Sequence, residues 1–248
     1  DREDPEARLR YFYEQRMYPG AEMPAAQRVR AFQRLSAMRA ASASAKNRMK
    51  TAEAQWQLVG PKPTRTPGNP LYFTSGRVSA MAIDPRDNNV VYAGPADGGL
   101  WKTTDGGATW KPLTDDAPSL AMGSIALDPK NPDIVYVGTG ELNFAADSYY
   151  GAGILKSTDG GATWKHIPGP FVRGRVGGLA INPVDTNVIL AATDRNGVYR
   201  SNDAGETWAL TLSGTTATDV LFDPDGKTAY ASLGVSRTNV RNGVYRST

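Results

Sequence analysis

The chain has 248 residues, 40% of them apolar, with 26 glycines, 17 prolines and no cysteine. That excludes a disulfide framework and a thiolate metal site, and it favours short strands joined by many turns. The net charge of +3 is unevenly placed: residues 1–50 carry eleven Lys/Arg against six Asp/Glu, and the remainder carries seventeen against nineteen. No basic stripe with interleaved aromatics points to nucleic acid, and no apolar run approaches the roughly 20 residues of a membrane span.

In chain order, residues 4–18 read as a helix, with Asp4 as cap, Pro5 at the first position, and Leu9, Phe12, Tyr13 and Met17 on one stripe. Pro19-Gly20 breaks it. A second helix is predicted from about Pro24 to Ala43, with Val29, Phe32, Leu35 and Met38 opposite Arg28, Arg30, Arg34 and Arg39. These apolar stripes are expected to pack on the rest of the chain or to dock on another protein. PKPTRTPGNP (61–70) reads as a Pro-rich linker.

From there the chain repeats itself. MAIDPRDNNVVYAG (81–94), IALDPKNPDIVYVG (125–138), LAINPVDTNVILAA (179–192) and VLFDPDGKTAYAS (220–232) align at Asp84, Asp128, Asn182 and Asp223. The spacings are 44, 54 and 41 residues, and a period near forty built from short strands signals propeller blades. Each unit predicts four strands: an apolar innermost strand A ending at Asp/Asn-Pro, a strand B, an alternating strand C, and a strand D starting at Trp110, Trp164 or Trp208. The units are bounded as 76–120, 121–173, 174–214 and 215–248. They follow the arm 1–50 and a segment 51–75 holding AQWQLV (54–59), which reads as a strand D without its own A, B and C. Trp56 is therefore expected to complete the last blade. Either four blades close here or more follow Thr248. The chain stopping inside a motif favours a ring of seven or more.

Between strands C and D stand TTDGGATW (103–110), STDGGATW (157–164) and SNDAGETW (201–208). This S/T-x-D-x-G-x-T-W pattern resembles the Asp-box, or BNR repeat, of sialidases, sortilin-type receptors, xyloglucanases and the photosystem II stability factor. The resemblance covers roughly residues 54–248 and implies an all-β propeller of four-stranded blades. Asp105, Asp159 and Asp203 are expected to accept backbone hydrogen bonds of their own turns. Glycine is expected to take positive φ, and Trp110, Trp164 and Trp208 to bury area between blades. The resemblance further implies that these turns face away from any ligand site.

Function is then sought on the opposite loops. The long loop GTGELNFAADSYYGAG (138–153) holds Glu141, Asp147, Tyr149 and Tyr150. Paired carboxylates beside aromatics suit a glycosidase or a polar binding loop, which makes Glu141 and Asp147 the catalytic candidates. Arg77, Arg173 and Arg175 enter strand A near the channel mouth, where they could hold a carboxylate or phosphate, or pair with neighbouring acids. Arg237 and Arg241 read as solvated, His166 as a surface residue, and DPDG (223–226) as a turn without the further ligands of a calcium loop. Sialidase activity is disfavoured, since Arg-Ile-Pro is absent and PFVRGR (170–175) is the nearest text. The tyrosine- and tryptophan-rich cleft of a xyloglucanase is not found in these blades.

The leading expectation is therefore a non-enzymatic, exported scaffold or protein-binding subunit, periplasmic or extracellular, attached through its arm to a larger complex. The expected partner is another protein, with carbohydrate as a possibility, and no cofactor or metal is expected. The competing reading is a glycoside hydrolase using Glu141 and another carboxylate.

Overall fold

The computed structural model describes residues 76–143, 148–171, 174–234 and 242–248, with the backbone of 64–65 and 73–74 and the single position 33. The two expected helices, Trp56, Asp147, Arg173, Arg237 and Arg241 lie outside the described residues. In the segment expected as a linker, β1 (Thr64–Arg65) pairs antiparallel with β2 (Phe73–Thr74).

The rest is four blades of a β-propeller. Blade one is β3 (Val78–Ile83), β4 (Val91–Pro95), β5 (Trp101–Thr103) and β6 (Lys111–Pro112). Blade two is β7 (Met122–Leu127), β8 (Val135–Thr139), β9 (Ile154–Ser157) and β10 (Lys165–Ile167). Blade three is β11 (Val176–Ile181), β12 (Ile189–Thr193), β13 (Gly197–Ser201) and β14 (Ala209–Ser213). Blade four is β15 (Ala217–Phe222), β16 (Ala229–Leu233) and β17 (Gly243–Ser247). Strands are antiparallel and ordered as in the sequence within each blade. The first strands pack on one another in series, β3 on β7, β7 on β11 and β11 on β15, which makes them innermost.

Alternation along each strand sends neighbouring side chains to opposite faces, so each blade buries one set of side chains against each described neighbour. Tyr92, Leu100, Met122, Val137 and Leu155 fill the first interface. Tyr136, Ile154, Val176, Ile189 and Tyr199 fill the second, and Leu190, Val198, Ala217, Val220 and Leu233 the third. Among the described residues nothing covers the outer faces of the series: Met81 of blade one is 62% exposed and Val244 of blade four 77%.

Two local devices recur. Asp84, Asp128 and Asn182, all buried, accept the backbone N–H two residues on at 2.8–2.9 Å, which closes the A–B turn. At its other end each first strand has a register shift, at Val78/Ala80, Met122/Ser124, Val176/Gly178 and Ala217/Asp219. A bulge there re-aims the strand where it meets the loops. Gly123 sits at one such shift, and a Cβ on it would lie 2.2 Å from the Gly140 carbonyl, so only glycine lets the loop after β8 close down.

Trp164 and Trp208 pack against the preceding blade, as expected. Trp110 does not: it is 39% exposed. The reason is geometric, because each of these tryptophans leans on the blade before its own and no described blade precedes blade one.

Candidate functional site

The C–D turns lie beside the A–B turns, with Gly106, Gly160 and Ala204 N–H groups donating to Asn89, Asp133 and Asn187 carbonyls. Within the middle turn, Asp159 accepts from the Thr163 N–H at 2.9 Å, the Thr163 hydroxyl at 2.6 Å and the Ser157 hydroxyl at 2.7 Å. These bonds, Thr163's foremost, hold its carboxyl at about 2, below the ordinary 3.8. Asp105 and Asp203 are held at about 2 in the same way, chiefly by Thr109 and Thr207. All three carboxylates are spent on their own turns.

The B–C and D–A loops form the other rim. Their common device is a backbone bond beside each bulge: Ala96, Gly140, Asp194 and Gly234 N–H groups donate to the carbonyls of Arg77, Ala121, Arg175 and Thr216. On this rim the long loop of blade two is held from both sides. From blade one, Arg77 donates Nε and Nη2 to the two oxygens of Glu141, at 2.6 and 2.7 Å. Glu141 is fully buried and takes a further bond from Asn143 at 3.2 Å. From blade three, Arg175 pairs with Asp194 at 3.0 Å and donates to the Ser148 and Tyr149 carbonyls. Its guanidinium also stacks 4.1 Å from the Tyr150 ring centroid. Leu142 crosses onto Gly177, where a Cβ would lie 2.2 Å from its side chain. The half-buried His166 ties the base of the same loop, 2.6 Å from the Ala152 carbonyl.

The structure thus brings Arg77 to Glu141 and Arg175 to Tyr149 and Tyr150. A carboxylate enclosed by a bidentate guanidinium is well suited to hold a loop and poorly placed to exchange protons with a ligand. Exposed carboxylates on this rim, among the described residues, include Asp97, between β4 and β5, Asp115 and Asp116, after β6, and Asp219 at the bulge of β15. Asp97 stands on a pinned turn, because the next two N–H groups, of Gly98 and Gly99, both donate to the Leu120 carbonyl. The carboxylate candidates taken from the sequence lie on the long loop 138–153 alone, so Asp97 is not among them. A cavity of about 280 Å³ opens between blades two and three, lined by Phe171, Thr193, Asp194, Arg195, Asn196 and Tyr199 among others.

No family model matches the chain. A xyloglucanase of a Paenibacillus species is 32% identical over 151 residues, 56% of this chain and 15% of that protein. The xyloglucanase of Hypocrea jecorina is 31% identical over 171 residues, 63% of this chain and 20% of its own. An oligoxyloglucan-reducing end-specific xyloglucanase of Emericella nidulans is 30% identical over 188 residues, 67% of this chain and 23% of its own. The chain spans about a fifth of the length of these curated relatives. Among solved structures, the GH74 xyloglucanase of Xanthomonas campestris aligns with TM-score 0.55 at 22% identity, over 69% of this chain and 29% of that one. An ancestral GH74 enzyme aligns with TM-score 0.59 at 24% identity, over 79% and 24%. These structural likenesses show the propeller fold.

The curated relatives are enzymes by name, and this overturns the expectation of a non-enzymatic scaffold or structural subunit. That expectation leaned on the turn motif, which fixes architecture and says nothing of chemistry, and on an arm outside the described residues. The objection from a missing aromatic cleft also loses its force, since these blades match only a fraction of each relative. Among the described residues no helix is long and apolar enough to cross a membrane.

Proposed function

We propose that these blades belong to a glycoside hydrolase acting on xyloglucan, with the three S/T-x-D-x-G-x-T-W turns as Asp-box repeats of its propeller. The observation that carries this is the agreement of the curated relatives: six at 30–32% identity, each named as a xyloglucanase. The loop rim supports it with accessible carboxylates on a rigid frame.

Glycoside hydrolysis uses one carboxylic acid to protonate the leaving oxygen and a second carboxylate as base or nucleophile. In this reading Asp97 supplies one of the two, because it is exposed on a backbone that two hydrogen bonds immobilise. Asp115 and Asp116 are its neighbours in function, on the adjoining D–A loop. Glu141 acts as the anchor that positions the long loop, and Tyr149 offers a ring to sugar, while the Tyr150 ring is held by Arg175 and Arg195. A polysaccharide substrate places the protein outside the cytoplasm, in the periplasm or beyond.

The test is release of oligosaccharides from xyloglucan by the protein carrying these blades, beside its Asp97→Asn form. Wild type is expected to cleave, and the variant to lose about 10²–10⁴-fold in rate, the range of a general acid or base. No release by wild type refutes the reading. Full activity in the variant transfers the role to Asp115 or Asp116.

A further inference from the structure

We infer that Thr114 is a positioning residue, whose buried hydroxyl sets the spacing between Asp97 and the turn of Asp115 and Asp116; this rests on the glycoside hydrolase reading above. In blade two the third and fourth strands stay paired as far as Ile154 with Ile167, and in blade three as far as Gly197 with Ser213. In blade one the pairing stops at Trp101 with Pro112. The Leu113 N–H still donates to the Leu100 carbonyl at 2.8 Å. The Leu100 N–H takes a side-chain acceptor in place of a ladder carbonyl, the Thr114 hydroxyl at 2.7 Å. Thr114 is buried, where a backbone N–H needs such a partner.

That one bond joins two turns at their bases. Asp97 stands just before Gly98, Gly99 and Leu100, and Asp115 directly follows Thr114. The Thr114 carbonyl accepts from the Ala117 N–H at 2.9 Å, which closes the turn with Asp115 and Asp116 at its two middle positions. On the other side, Gly98 and Gly99 are tied to the Leu120 carbonyl. The fit leaves little slack, since a Cβ on Gly99 would lie 2.9 Å from the Thr114 hydroxyl oxygen. Carboxylate spacing decides how a glycosidic bond is cut: roughly 5–5.5 Å suits direct attack by the second carboxylate, and roughly 6.5–9.5 Å leaves room for a water. A misplacement of about 1 Å costs about 10²-fold in rate. The distance between an acid and its base also sets how strongly each shifts the other's titration. A buried hydroxyl that fixes this spacing therefore acts on turnover and on its pH dependence without meeting the sugar.

The test compares xyloglucan cleavage across pH by the protein carrying these blades and by its Thr114→Val and Thr114→Ser forms. Valine keeps the side-chain shape and loses the acceptor, whereas serine keeps the acceptor. Thr114→Val is expected to lose about 10–100-fold in kcat, with KM within about twofold of wild type. The two limbs of its pH–rate profile are expected to move relative to each other. Thr114→Ser is expected to restore both kcat and profile. Thr114→Ala, which leaves room for a water on the Leu100 N–H, serves the same comparison if the valine form does not fold. Beside an active wild type, three results overturn the role of Thr114 and leave the hydrolase reading standing: unchanged kcat in the variant without the acceptor, a loss that serine does not restore, or a loss with both limbs unmoved. A wild type without activity removes both.

Discussion

The two rims of the blades are made from the same strands and use carboxylates in opposite ways. On the turn rim, Asp105, Asp159 and Asp203 each bond to a residue two before and a residue four after. The unit is local and can be copied into every blade. On the loop rim, Glu141 is met by Arg77 from 64 residues away, and Arg175 reaches back 26 and 27 residues to Tyr149 and Ser148. These bonds exist once, and they fix one loop in one place. Local carboxylates build the frame, and distant pairs give one part of it an individual shape.

The largest expected effect tests the distant pair. Arg77→Ala leaves Glu141 buried with Asn143 as its remaining side-chain donor. Stripping the partner from a buried charge costs about 3–5 kcal/mol. Glu141→Gln is milder, about 1–2 kcal/mol, because the Arg77 side chain is 42% exposed and water can solvate it. Urea unfolding midpoints of the two variants measure the asymmetry. Equal midpoints would break the comparison, since they would mean that the loop rim is no more dependent on its buried acid than on its exposed base.

The turn rim should answer to pH instead. Each turn carboxyl titrates at about 2 in the fold against 3.8 ordinarily. A depressed pKa contributes stability that is complete above the unfolded value and is lost as pH falls through the folded one. The thermal midpoint should therefore hold steady down to about pH 4 and decline between about 4 and 2. In the triple variant Asp105→Asn, Asp159→Asn, Asp203→Asn that decline should be shallower. Because these groups are solvated, the loss at neutral pH should be smaller than that of Arg77→Ala. An unchanged slope would show that the turns do not draw on ionised acids.

This division explains what could be read from the sequence. The turn rim was legible because its bonds span two to four residues, so the pattern that makes the turn is also the pattern one sees. Strand order followed from the same repeats. On the loop rim, residues 138–153 stood out by length, and Arg77, Glu141, Arg175 and Tyr150 were all singled out, yet which of them meet was not. Which arginine meets which acid depends on how far one blade rotates against the next, and no spacing in the chain encodes that. Asp97, the carboxylate proposed above for the reaction, was not singled out, because its short glycine-flanked segment has no spacing that sets it apart. Trp110 was expected to be buried because its motif matches its copies, while burial depends on a neighbouring blade.

The smallest effect probes how alike the three turns are. Blades one and two place Gly106 and Gly160 at φ 68° and 67°, whereas blade three has Ala204 at φ 55°, the only non-glycine with positive φ among the described residues. A side chain in that region costs about 1–2 kcal/mol. Ala204→Gly removes the strain but loosens the unfolded chain by about 0.4–1 kcal/mol, so the net gain should be about 0.5–1 kcal/mol. The Ala204 carbonyl, which accepts from Tyr136 at 2.9 Å and Lys156 at 2.8 Å, is untouched by the change. Gly160→Ala should do the reverse at the matching site, where a new Cβ meets the movable Lys102 ammonium at 3.2 Å. Opposite signs in chemical denaturation would show that one backbone turn recurs in all three blades. Destabilisation by both would mean that blade three has fitted its turn to alanine, and that even the repeated rim carries individual adjustment.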